Sequence, residues 1–160
     1  MYQRVSDANF ATRPARPAHV VRNACDSQWQ HQGVSRLRLD HTCTRHVSIV
    51  RDEDVVVARC HVADRWLARL VGLLGTPDLA ADEGLWITPC GSVHTWGMRI
   101  PIACAFLDAD GRVLRVIDPL PPWRVASLRG AAAVLETRAA GLQTLHVGQV
   151  LRHVPVRNHV

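Results

Sequence analysis

The tetrapeptide Asp108-Ala109-Asp110-Gly111 constrains this chain most, because it separates two β-rich runs, Ile102–Leu107 and Arg112–Ile117. Aspartates accept hydrogen bonds from nearby backbone N–H groups and glycine takes positive φ freely, so the spacing predicts a β-hairpin. Upstream, the apolar run Leu85-Trp86-Ile87 is stopped by Thr88-Pro89, and Val55–His61 is β-branched enough for a buried first strand. Downstream, the Val-Leu-Glu-Thr core of Ala131–Ala139 predicts a strand, and Gly148–Val154 closes the fold as the last one.

One helix is expected. Leu67, Leu70, Val71 and Leu74 recur at i, i+3, i+4 and i+7 after Asp64, which reads as an N-cap, and Gly75-Thr76-Pro77 ends the pattern. Its apolar face over Arg65–Leu74 must cover a sheet. Asp118–Arg124 reads as a proline-fixed connection and Ala140–Leu145 as one helical turn. The fold class is therefore mostly β (α+β). We expect a compact β-barrel or rolled antiparallel sheet covered by one amphipathic helix.

The basic charge is uneven. Residues 1–50 hold seven Arg against three Asp, whereas residues 51–160 hold twelve Arg against eleven acids; lysine is absent. Residues 1–50 also lack large apolar side chains at any sustained period, so a disordered basic tail is expected there, with the domain over 51–156. A translation start near Val47–Val50 would account for the uninformative composition before it. An Arg-rich tail suits weak nucleic-acid association. The sequence shows no apolar stretch approaching the roughly 20 residues of a membrane span and no secretory h-region, so a soluble, cytoplasmic, monomeric protein is expected. Its five cysteines show no C-x-x-C pair and are read as reduced thiols.

Several stretches together resemble the DUF192 family, an uncharacterised group of small domains. They are Gly72-Leu73-Leu74, Gly84-Leu85-Trp86-Ile87, the run Val93–Ile102 (VHTWGMRIPI), Phe106–Val113 (FLDADGRV) and Ala133-Val134-Leu135-Glu136. Their order and spacing cover roughly residues 55–152. The resemblance implies a small β-rich domain and carries no activity with it. Members usually have an acid just after the P-[IL] pair, where this chain has Ala103, so a role needing a carboxylate there is in doubt.

The candidate site is the loop Cys90–Arg99. Cys90 and His94, at C-x-x-x-H spacing, could share a zinc ion or pair as nucleophile and base. Zinc would need further donors, and Cys60 or His61, Cys104 and His146 are the candidates, none supported by motif spacing. The alternative is that Cys90 packs as a small apolar group and His94 satisfies buried backbone. On a binding reading, Met98 and Arg99 belong to a rim, Arg99 clamps an anion, and Trp86, Trp96 and Trp123 form an apolar wall. Against it, Arg99 pairs with Asp118 or Glu136 and the tryptophans pack a barrel mouth. Glu136 is expected to face solvent or to pair with Arg99, Arg124 or Arg129. Asp108-x-Asp110-Gly111 is out of register for a calcium loop, and no P-loop or dinucleotide fingerprint is present. The leading expectation is a non-enzymatic accessory domain that binds a small molecule or protein partner through Cys90, His94, Trp96, Met98, Arg99, Trp86, Trp123 and Glu136, without a cofactor. The alternatives are a zinc- or thiol-based enzyme at Cys90 and His94, and a nucleic-acid-binding tail.

Overall fold

The computed structural model describes residues 45–74, 76 and 78–156. The basic tail up to residue 44 lies outside them. Nine strands are present among the described residues: β1 (His46–Arg51), β2 (Asp54–Ala63), β3 (Glu83–Ile87), β4 (Ser92–His94), β5 (Ile102–Leu107), β6 (Val113–Leu120), β7 (Val125–Ser127), β8 (Ala133–Arg138) and β9 (Leu151–Pro155). Seven form one sheet in the order β6-β5-β8-β3-β2-β1-β9, and β4 pairs with β7 in a second. β1 begins before residue 50, so the boundary drawn there from composition falls inside a strand.

The sheet is mixed rather than antiparallel, because β2 and β3 run parallel, with His61 opposite Leu85 and Val62 opposite Trp86. A parallel pair cannot be joined by a hairpin and needs a crossover. Residues 64–82 supply it and contain α1 (Trp66–Val71). The helix is shorter than its periodicity predicts. Gly72 takes φ 50°, which no helix continues through, and its N–H closes on Ala68 O at 2.9 Å. Its N-cap is Arg65, with no side-chain cap, instead of Asp64. Ala68 and Leu73 are buried and Leu74 is exposed, while the side chains of Leu67, Leu70 and Val71 and the expected C′ residue Gly75 lie outside the described residues. The expectation of a long covering helix is thus reduced to six helical residues whose covering role is unsupported.

No barrel closes. The edges approach at one corner, where Gly148 N donates to Val113 O (2.8 Å), Val113 N to Gln149 O (2.8 Å) and Leu151 N to Gly111 O (2.9 Å), with a single bridge between Arg112 and Val150. The hairpin turn feeds this corner. Asp108 Oδ1 accepts from Asp110 N (2.9 Å) and Arg112 N (2.8 Å), and Gly111 sits at φ 79°. The Asp118–Arg124 connection is partly strand, since β6 runs to Leu120. The Asp118 carboxylate accepts from Ala140 N (2.7 Å) and Leu142 N (3.1 Å), and residues 140–144 form hydrogen-bonded turns rather than the expected helical turn.

Alternation in β5 and β8 divides the core in two. Ile102, Cys104, Phe106 and Val134 join Leu73, Leu85, Ile87, Val93 and Met98 in one cluster. Ala103, Ala105, Leu107 and Leu135 join Val47, Ile49, Val62 and Trp86 in the other. Strands buried on both faces read as continuous apolar runs, as Ile102–Leu107 does.

A Cβ at residue 111 would collide with Leu151 O while forcing positive φ on an alanine. Gly111→Ala is therefore expected to lower stability by about 2–3 kcal/mol in urea unfolding, combining left-handed strain with loss of the β9 contact. A change within about 0.5 kcal/mol, the scatter of ordinary surface substitutions, would contradict the close approach of the turn to β9.

Candidate functional site

Strand alternation decides where Glu136 points. Val134 packs in the first cluster, so two residues on Glu136 faces the same side, directly across the ladder from Cys104. Only 3% of Glu136 is exposed, and among the described residues its carboxyl makes no hydrogen bond and no ion pair. The expectation that it faces solvent or pairs with Arg99, Arg124 or Arg129 is corrected. Burial alone pushes its pKa up to about 8, because leaving water penalises the charged form. At neutral pH the group is mainly a carboxylic acid.

Glu136 opens onto a cavity of about 40 Å³. Its apolar walls are Leu73 after α1, Ile87 of β3, Val93 of β4 and Met98, all buried. Arg69, Cys90, Ser92 and His94 supply its other polar lining. Of the candidates named from the sequence, Cys90, His94, Met98 and Glu136 line this one cavity. Sequence reasoning missed the wall from α1 and the following turn, although the apolar spacing of that segment was the available signal.

The remaining candidates go elsewhere. Trp86 points into the second cluster and lines a separate groove of about 500 Å³, its ring edge-on to His153 with centroids 5.7 Å apart. Arg99 is exposed and lies outside the cavity lining, and no ion pair with Asp118 or Glu136 forms. Trp96 and Trp123 are 57% and 65% exposed. Trp96 tilts against His94 at 5.5 Å between ring centroids. Trp123 has φ 60°, an unusual conformation for an aromatic residue, held by its N–H to Thr95 O at 3.0 Å. Buried Thr95 also accepts from Arg124 N (2.9 Å) and donates to Pro121 O (2.7 Å) through its hydroxyl. Thus the tryptophans do not line the cavity with Glu136 or form one wall.

Cys90 donates its thiol hydrogen to Ser92 O at 3.1 Å rather than to His94. Burial raises its pKa, opposed by the Ser92 bond and Arg69 and reinforced by Glu136. A raised pKa works against the thiolate that nucleophilic catalysis requires. Cys104 is pushed further, to about 12, first by burial and then by Glu136. Of the other candidate donors, Cys60 belongs to the second cluster, His61 packs edge-on against His46 with centroids 4.4 Å apart, and His146 is exposed. Among the described residues, no three His, Cys, Asp or Glu side chains gather closely enough to hold a metal ion. Ala103 belongs to the second cluster, so an acid at that position would not face this cavity.

A model of the DUF192 family, described as "Uncharacterized ACR", matches residues 47–153. Comparison with curated proteins gives no match. Among solved structures, a Novosphingobium aromaticivorans protein of unknown function is similar at TM-score 0.60 and 20% identity, over 67% of this chain and 83% of that one. A Sinorhizobium meliloti protein described as a candidate transcription regulator is similar at TM-score 0.61 and 18% identity, over 69% and 95%. At these identities the likeness shows the fold alone. No helix among the described residues is long and apolar enough to cross a membrane.

The buried acid leaves a signature in stability. Between pH 4.5 and about 8 the folded state keeps a proton on Glu136 that the unfolded chain has lost. Stability then falls as pH rises through that window, by up to about 1.4 kcal/mol per unit from this group, and the loss levels off above it. Urea unfolding of wild type at pH 5, 6.5 and 8 should show this fall, and Glu136→Gln should remove it. Equal slopes in the two proteins would mean that the carboxyl is not desolvated.

Proposed function

The chain belongs to the DUF192 family, and we propose that it is a non-enzymatic binding domain that admits a small ligand, or one side chain of a partner, into the cavity at Glu136. The observation that carries this reading is Glu136 itself, a residue only 3% exposed whose carboxyl has no partner among the described residues, at the edge of a cavity with apolar walls. Buried polar groups are ordinarily satisfied, and one left open beside empty space suits a ligand that completes it. Arg69 and His94 give the same cavity polar lining.

Binding is favoured over thiol catalysis by what Cys90 does. Its hydrogen is committed to a backbone carbonyl and burial raises its pKa, so His94 does not activate it. The two exposed tryptophans tied to the Thr95 region add a surface suited to a protein partner, since Trp is enriched at the energetic centres of interfaces.

A set of small amines, amides and carboxylates titrated into ¹⁵N-labelled protein tests this reading. Saturable shifts should concentrate at Gly72–Leu74, Cys90, Ser92–His94, Met98 and Glu136, and Ser92→Trp at the lining should abolish them. Saturable shifts confined to the Trp86 groove, or none at all, would contradict it.

A further inference from the structure

We propose that the cavity takes a primary ammonium group on a short alkyl stem, with Glu136 as its counter-ion; the proposal rests on the small-ligand reading above. Glu136 has no cation against it among the described residues. Arg69 lines the cavity but directs its Nη1 at Asp64 O (2.6 Å) and, more weakly, Thr88 O (3.4 Å). It therefore leaves the carboxyl uncompensated. A cation paired with Glu136 is what the site lacks, and Leu73, Ile87, Val93 and Met98 offer an alkyl stem an apolar lining. A volume of about 40 Å³, set against roughly 10–15 Å³ for one water centre, admits a head group of about three heavy atoms.

The ligand enters as R–NH₃⁺, Glu136 gives up its carboxyl proton to solvent, and an ammonium–carboxylate pair remains. One proton is released for each ligand bound while the free protein holds Glu136 protonated. The other titratable or charged groups facing Glu136 are Arg69 from α1, Cys90 just before β4, His94 at the end of β4, and Cys104 across the ladder on β5. Arg115 and Asp118 of β6 act on Cys104. The two cysteines have raised pKa values and hold their protons below pH 8. The amine could be a free small molecule or the end of a lysine side chain. A second copy of this chain cannot supply that lysine, because the sequence contains none.

The test uses the full chain, ¹⁵N-labelled, titrated with propylammonium chloride and with Nα-acetyl-lysine amide, beside propionamide, propionate and sodium chloride. Saturable shifts at Gly72, Cys90 and Met98 should appear with an amine, tighten about tenfold from pH 6 to 7, and vanish in Glu136→Gln. Binding by both amines identifies a free alkylamine as sufficient, and binding by the lysine amide alone identifies a protein side chain; each supports the ammonium class. Saturable binding of propionamide or propionate without either amine would overturn the ammonium proposal and leave cavity binding intact. Amine binding with no pH dependence would overturn Glu136 as counter-ion. No saturable shift at the cavity with any probe would overturn both readings. Should Glu136→Gln not fold, the wild-type pH slope decides.

Discussion

Strand β5 sends Ile102, Cys104 and Phe106 into one apolar cluster and Ala103, Ala105 and Leu107 into the other, and β8 splits Val134 from Ala133 and Leu135 in the same way. Apolar packing on both faces leaves the middle of the sheet out of contact with water. A side chain at residue 136 that can carry charge must either find a partner or surrender the charge. No partner is present among the described residues, so the group holds its proton to about pH 8. The cavity is the other half of this arrangement, because the space that keeps Glu136 from being packed over is bounded by Leu73, Val93 and Met98.

Several neighbouring properties follow from that burial. Cys90 and Cys104 are desolvated too, and any charge on Glu136 further disfavours their thiolates. The site is therefore poor in ready nucleophiles despite two thiols within reach of one acid. Ala103 lies on the other face of β5 and leaves this cavity unaffected. The tryptophan surface depends on a separate anchor, the hydroxyl of Thr95, which ties residues 121–124 to the loop.

Much of the sheet was legible because its signals are local. Asp108 and Gly111 specify their hairpin within four residues, and Val55–His61, Leu85–Ile87 and the Val-Leu-Glu-Thr core carry enough β-formers to mark strands. The helix was overextended because apolar spacing says nothing of the φ adopted at Gly72. β1 was missed because its first residues continue a polar stretch, and it is a strand only through pairing with β2 and β9. The three-residue strands β4 and β7 exist only through each other, with Val93 opposite Ala126. Site legibility divides on the same line. Cys90, His94 and Met98 stood out as a loop cluster, whereas the placement of Trp86 depended on which face of β3 it takes. That Glu136 is buried needed the cover over β8, which no spacing along one strand reveals.

The protonation state of Glu136 tests the account most directly, and it can be read from the side-chain carboxyl ¹³C shift of selectively labelled protein titrated from pH 3 to 10. The structure predicts a midpoint near 8, the mark of a desolvated acid facing an unfilled cavity. A midpoint near the ordinary value of 4.5 would show the carboxylate hydrated or paired, and would contradict both the burial argument and the binding site built on it.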